Sequence, residues 1–186
     1  MKGIKVLALL MFALVTLGTR PTEAHRHPEA TGEDLLELQV SPFAIAHRGF
    51  GENLGEDPSR PIENTVAAVR QGFKAGASVV EVDVQLTRDG KVAVFHDDFL
   101  PDLTCLNQLS LDELQDHVPF VPTLEAVLQQ ARKLNEATGP LRGLVIIELK
   151  AAAPLCDPHD RQDRAIVAAA LNSAMSMPAN ESLVSS

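Results

Sequence analysis

The stretch from Ser78 to Leu86 constrains this chain more than any other. Val80, Val82, Val84 and Leu86 alternate with Glu81, Asp83 and Gln85. Successive strand side chains point to opposite faces, so one face is apolar and the other holds two carboxylates and an amide. The apolar face needs a second layer to cover it. The carboxylates of Glu81 and Asp83, two residues apart, point the same way. Side by side they repel, and one is pushed to take a proton unless a cation joins them. Oxygen-only ligands suit a hard divalent cation, Mg²⁺ or Ca²⁺. An isolated Glu-x-Asp is more often a solvated polar face. Glu148, at the end of another apolar run, supplies a third carboxylate and favours the cation.

The surrounding chain reads as alternating strands and helices. Phe43 to Ala46 is a short apolar run ending at His47-Arg48-Gly49, as a buried strand would. Phe50 to Pro61 is a loop rich in Gly, Glu, Asn and Pro. Asn64-Thr65 opens a helix with Val66, Val69 and Phe73 on one face and Gly76 at its close. Asp89-Gly90 is a tight turn into a second short strand, Lys91 to His96. Pro101 to Val121 is an irregular insertion in which Ser110 to Glu113 reads as a capping box. Thr123 caps a further helix with Leu124, Val127, Leu128, Ala131 and Leu134 on one face. Leu144 to Leu149 is strand-like, and Asp160 to Met175 is helix-like. This order predicts a parallel α/β sheet.

The ends of these apolar runs carry His47, Arg48, His96, Asp97, Glu148 and Lys150. Ligands of parallel α/β folds bind at the carboxyl ends of strands. Two imidazoles beside carboxylates suit acid and base work near neutral pH. Arg48 and Lys150 match phosphate oxygens, or else pair with Glu81, Asp83 and Glu148 in salt bridges. A cation site, two His and two local cations suggest metal-assisted attack on a phosphate ester.

The net charge of −9 argues against nucleic acid as a partner. Lys2 and Lys5 precede an apolar run, Val6 to Leu17, broken only by Thr16, and Thr22-Glu23-Ala24 offers small residues at a cleavage point. This predicts a signal peptide over 1–24. The run is too short for the roughly 20 apolar residues of a membrane span. No stable span is expected after cleavage, and the chain is expected to be periplasmic or secreted. Residues 25–40 are polar and read as a flexible segment; His25 and His27 there fit a solvated tail better than a metal site. The domain runs over 41–177, and 178–186 is a polar tail. Cys105 and Cys156 are the two cysteines. Export permits a disulfide, two free buried thiols are the alternative, and their spacing does not decide.

In order, His47-Arg48-Gly49, Glu63-Asn64-Thr65, Gly76, Glu81-Val82-Asp83-Val84, Thr87-x-Asp89-Gly90 and His96-Asp97 resemble the signature of the glycerophosphodiester phosphodiesterases. Pro122 to Glu125 and Glu148-Leu149-Lys150 resemble its later elements. The resemblance implies a TIM barrel that hydrolyses glycerophosphodiesters to glycerol 3-phosphate and an alcohol. It places a Ca²⁺ or Mg²⁺ ion on Glu81, Asp83 and Glu148, acid/base catalysis on His47 and His96, and phosphate binding on Arg48 and Lys150, with Glu63 nearby. Such a barrel typically needs about 250 residues. The sequence therefore predicts the N-terminal half of one. Half a barrel is expected to be marginally stable and to offer an open edge for self-association. An inactive fragment, or a metal- and phosphate-binding module of the same fold, is the alternative to an enzyme.

Overall fold

The computed structural model describes residues 9–11, 44–138, 144–159 and 162–176. The segments expected at 25–40 and 178–186 lie outside the described residues, as does the expected signal peptide apart from 9–11. The strands are β1 (Leu9–Met11), β2 (Ile45–Ala46), β3 (Val79–Leu86), β4 (Val92–Val94) and β5 (Leu144–Leu149). The helices are α1 (Val66–Lys74), α2 (Leu111–His117), α3 (Leu124–Thr138) and α4 (Gln162–Met175), with a 3₁₀ turn at Leu106–Gln108.

β3 is the centre. It pairs in parallel with β2 and β5 and in antiparallel fashion with β4 across the Asp89-Gly90 turn. Short β1 lies antiparallel on the far side of β5, within the segment read as a signal peptide. The described sheet runs β1-β5-β3-β2, with β4 also on β3, and does not close on itself. All eight residues of β3 are buried. Val80, Val82, Val84 and Leu86 pack with Val69 and Phe73 of α1, Leu124, Val127 and Ala131 of α3, and Ile166 and Ala170 of α4. A smaller core under the insertion joins Ala93, Phe95, Leu100, Leu106, Leu114 and Val121.

Local chemistry starts the helices where the sequence predicts. The Thr65 hydroxyl accepts from the Ala68 amide at 3.1 Å and donates to the Ile62 carbonyl at 2.7 Å. Ser110 and Glu113 close the capping box of α2. Thr123 Oγ1 accepts from the Ala126 amide at 3.3 Å.

Two glycines let α1 lie against the turn after β2. A Cβ on Gly72 would fall 2.1 Å from the Gly49 carbonyl oxygen and 2.9 Å from Ala46 Cβ. A Cβ on Gly49 would fall 2.8 Å from the Val69 amide nitrogen. Only backbone fits between these two segments, and this contact sets where His47 and Arg48 emerge. Cys105 and Cys156 form a disulfide. It ties the insertion to the loop after β5, closing the alternative that the sequence left open.

Candidate active site

The register of the sheet builds the acidic face. Asp83 of β3 lies directly opposite Glu148 of β5, and Glu81 opposite Ile146. Glu81 and Asp83 share a face by alternation, and Glu148 joins them by register. One carboxylate oxygen from each of the three lies within 4.8 Å of the others. Asp83 is almost completely buried, and Glu81 Oε1 is buried with no hydrogen-bond partner. An orphaned buried carboxylate oxygen, beside two more carboxylates, fits a divalent cation with oxygen ligands. Burial pushes the Glu81 carboxyl above its ordinary pKa; Asp83 and Glu148 add to this, while the Arg48 amide and His47 oppose it.

β2 delivers His47 and Arg48 to the same place. Ala46 pairs with Val80, so the next residues run past Glu81. His47 Nε2 lies 3.9 Å from Glu81 Oε2. Arg48 adopts a left-handed backbone, φ 50°, and its amide donates to Glu81 Oε2 at 2.8 Å. Its guanidinium bonds Glu63 Oε1 at 2.8 Å and lies 3.6 Å from Asp83 Oδ2. Burial works against the Arg48 charge, but the bond and charge of Glu63, with Asp83 and Glu52, outweigh it and raise its pKa. Lys150 Nζ lies 3.4 Å from Glu148 Oε1 and 3.7 Å from Asp83 Oδ1. Both cations thus stand at the site and pair with its carboxylates, as the salt-bridge reading has it.

His96 follows β4. Its Nδ1 is 2.7 Å from Asp97 Oδ1, its one ion pair among the described residues. The Gln85 amide holds this turn by donating to the carbonyls of His96 at 3.0 Å and Asp97 at 2.7 Å. These contacts bring seven of the eight predicted site residues into one network and place His96 on a strand end packed against it.

Sequence reasoning assigned no role to Asn64, which the structure puts at the centre. Its Nδ2 donates to Asp83 Oδ2 at 3.0 Å, and its Oδ1 accepts from the Asp83 amide at 3.1 Å. Its left-handed φ of 56° is the conformation Asn tolerates best after Gly. Its place between Glu63 and Thr65 was the signal, read as a helix start and as part of the family motif, with no role given to the side chain. Asn53, whose amide donates to Glu63 Oε2 at 2.9 Å, left no signal beyond its place in a polar loop.

Residues 47–153 match the profile of the glycerophosphoryl diester phosphodiesterase family, and they hold every predicted site residue just described. The chain belongs to this family. Mouse glycerophosphodiester phosphodiesterase 1 is 44% identical over 125 residues, which are 58% of this chain and 36% of that protein. The Bacillus subtilis protein YqiK is 42% identical over 121 residues, 57% of this chain and 44% of that protein. The chain thus spans less than half the length of these curated relatives. An Oleispira antarctica phosphodiesterase, solved with its product sn-glycerol-3-phosphate, superposes with a TM-score of 0.54 at 23% identity, covering 77% of this chain and 56% of that one. The fold is the TIM-barrel type of the glycerophosphodiester phosphodiesterases, with a partial sheet that corresponds to about half of such a chain.

Proposed function

We propose that this chain hydrolyses glycerophosphodiesters to glycerol 3-phosphate and an alcohol. The observation that carries the reading is the convergence of Glu81, Asp83 and Glu148 within 4.8 Å, with an orphaned Glu81 oxygen and His47 beside it. These three carboxylates would hold Ca²⁺ or Mg²⁺; such an ion stabilises charge on phosphoryl oxygens and acidifies a nearby hydroxyl. Arg48 and Lys150 then hold phosphate oxygens, and Glu63 keeps the Arg48 guanidinium in place. The glycerol hydroxyl next to the phosphate attacks phosphorus, an intramolecular step that avoids much of the positioning cost. One of His47 and His96 takes its proton, and the other protonates the leaving alcohol oxygen. Asp97 on Nδ1 leaves Nε2 as the working nitrogen of His96. Water opens the cyclic phosphate, with the two His roles reversed.

The test is release of glycerol 3-phosphate from glycerophosphocholine by the wild type and by His47→Ala. The reading requires a loss of at least about a hundredfold, in line with the usual worth of a general acid or base. Undiminished activity in His47→Ala would overturn it. The salt bridges that already engage Arg48 and Lys150 favour a second reading, a non-catalytic module that binds metal and phosphate. Metal binding without turnover in the wild type would select it. We also propose export into an oxidising compartment, supported by the apolar run over Val6 to Leu17 and by the Cys105–Cys156 disulfide. Among the described residues no helix is long and apolar enough to cross a membrane.

A further inference from the structure

The loop between Gly49 and Glu63 is pinned by one buried side chain. Asn53 Nδ2 reaches the carbonyls of Asp57, Arg60 and Pro61 at 3.0–3.1 Å. Its Oδ1 accepts from the Gly55 and Asp57 amides at 3.1 Å. The Glu63 amide donates back to the Asn53 carbonyl at 2.8 Å. Arg60 is therefore fixed relative to Glu63, and through it to Arg48.

Arg60 folds back over Gly51. Its Nη2 donates to the Glu52 carbonyl at 2.8 Å and reaches that of Phe50 at 3.5 Å. A Cβ on Gly51 would stand 3.3 Å from that nitrogen. Nε is buried with no partner. Among the described residues the guanidinium makes no ion pair, whereas Arg48 and Lys150 each make at least two. Asp57 feels the Arg60 charge, but its Oδ1 is taken by the Ser59 amide and hydroxyl. Arg60 lines a shallow depression with Phe50, Gly51, Glu52 and His47. The depression thus begins at the imidazole proposed to move the proton. Glu52, on its rim, is 3.8 Å from Arg48.

We infer that Arg60 is a specificity residue that receives a carboxylate on the alcohol half of the substrate. This rests on the proposed function. A half-buried guanidinium whose hydrogen bonds go to neutral carbonyls is left with charge and donors for an anion. The phosphate already has Arg48 and Lys150, and the glycerol half bears only hydroxyls. A further anionic group therefore belongs to the alcohol.

Glycerophosphoserine and glycerophosphoethanolamine differ by one carboxylate. Both are tested with the full chain in Ca²⁺, by kcat/KM and by calorimetric Kd, in wild type, Arg60→Gln and Arg60→Lys. The wild type is expected to prefer glycerophosphoserine by about tenfold or more, the worth of one charge-assisted hydrogen bond. Arg60→Gln should erase that preference through the serine substrate, and Arg60→Lys should keep part of it. Circular dichroism of both variants checks the fold, and the lysine variant keeps the test valid if the glutamine variant unfolds. An unchanged preference in Arg60→Gln, or a wild type that favours ethanolamine, overturns the inference. A wild type that binds both diesters and cleaves neither overturns the activity, and the ratio of the two Kd values still decides on Arg60.

Discussion

Asp83 shows how tightly single residues are committed here. Arg48, Lys150 and Asn64 all meet its carboxylate, and Phe95 donates to its carbonyl at 3.0 Å. Glu81 is the less satisfied neighbour, because burial and two nearby carboxylates oppose its charge and one of its oxygens has no partner. Glu81→Gln should therefore raise the thermal midpoint of the metal-free protein while cutting turnover at least about a hundredfold, since cation charge stabilisation is worth several kcal/mol. Differential scanning fluorimetry in EDTA and the glycerol 3-phosphate assay measure the two effects; a variant that is both less stable and fully active contradicts the assignment. The residues that alternate along a strand, Glu81 and Asp83, were readable from sequence because period two fixes their face. Asn64 was not, because its role depends on a left-handed backbone turn that sets it against Asp83, 19 residues further along the chain.

Among the elements, the contact of α1 with the turn after β2 leaves no room for a side chain at Gly72 or Gly49. Gly72→Ala has no room at the Gly49 carbonyl, and shifting α1 moves His47 and Arg48. A loss of about 1–3 kcal/mol in urea unfolding is expected, with activity falling alongside; unchanged stability would show the contact to be looser. α2 offers a pH test. The Ser110 amide, the Arg88 guanidinium and the Ser110 hydroxyl bond the Glu113 carboxylate and hold its pKa down to about 2. The unfolded value is about 4.3. The lowered carboxyl stabilises α2 when ionised, fully above the unfolded value. This contribution is lost as pH falls from about 4 to about 2. Carboxyl NMR should find the Glu113 midpoint near 2, and a midpoint above about 4 would break the capping box. The order of strands and helices, and the caps at Thr65, Ser110 and Thr123, follow from sequence because they are local. The strand expected over Lys91 to His96 is shorter, Val92–Val94, because the carbonyls of Phe95, His96 and Asp97 turn to the Gln85 amide. That is a tertiary contact no local pattern contains.

At the scale of the molecule, the 51-residue separation of Cys105 and Cys156 carried no information until the fold brought their Cα atoms to 5.7 Å. The bridge joins the insertion beyond His96 to the loop beyond Lys150. It therefore braces the two strand ends that bear predicted phosphate and proton chemistry. Closing a loop of that length is worth about 2–4 kcal/mol through the unfolded state. Reductant should lower the urea midpoint accordingly, and an unmoved midpoint would mean that the bridge is absent in solution. The sheet does not close among the described residues, yet Glu81, Asp83 and Glu148, both imidazoles, Arg48 and Lys150 lie on it or on its turns. We propose that this partial barrel holds a working divalent-cation centre. Glycerol 3-phosphate release from glycerophosphocholine by the full chain, with Ca²⁺ or Mg²⁺ and then with excess EDTA, tests it most directly. Turnover is expected with the ion, lost when EDTA removes it and restored when the ion is added back; turnover that persists in EDTA would overturn the cation centre.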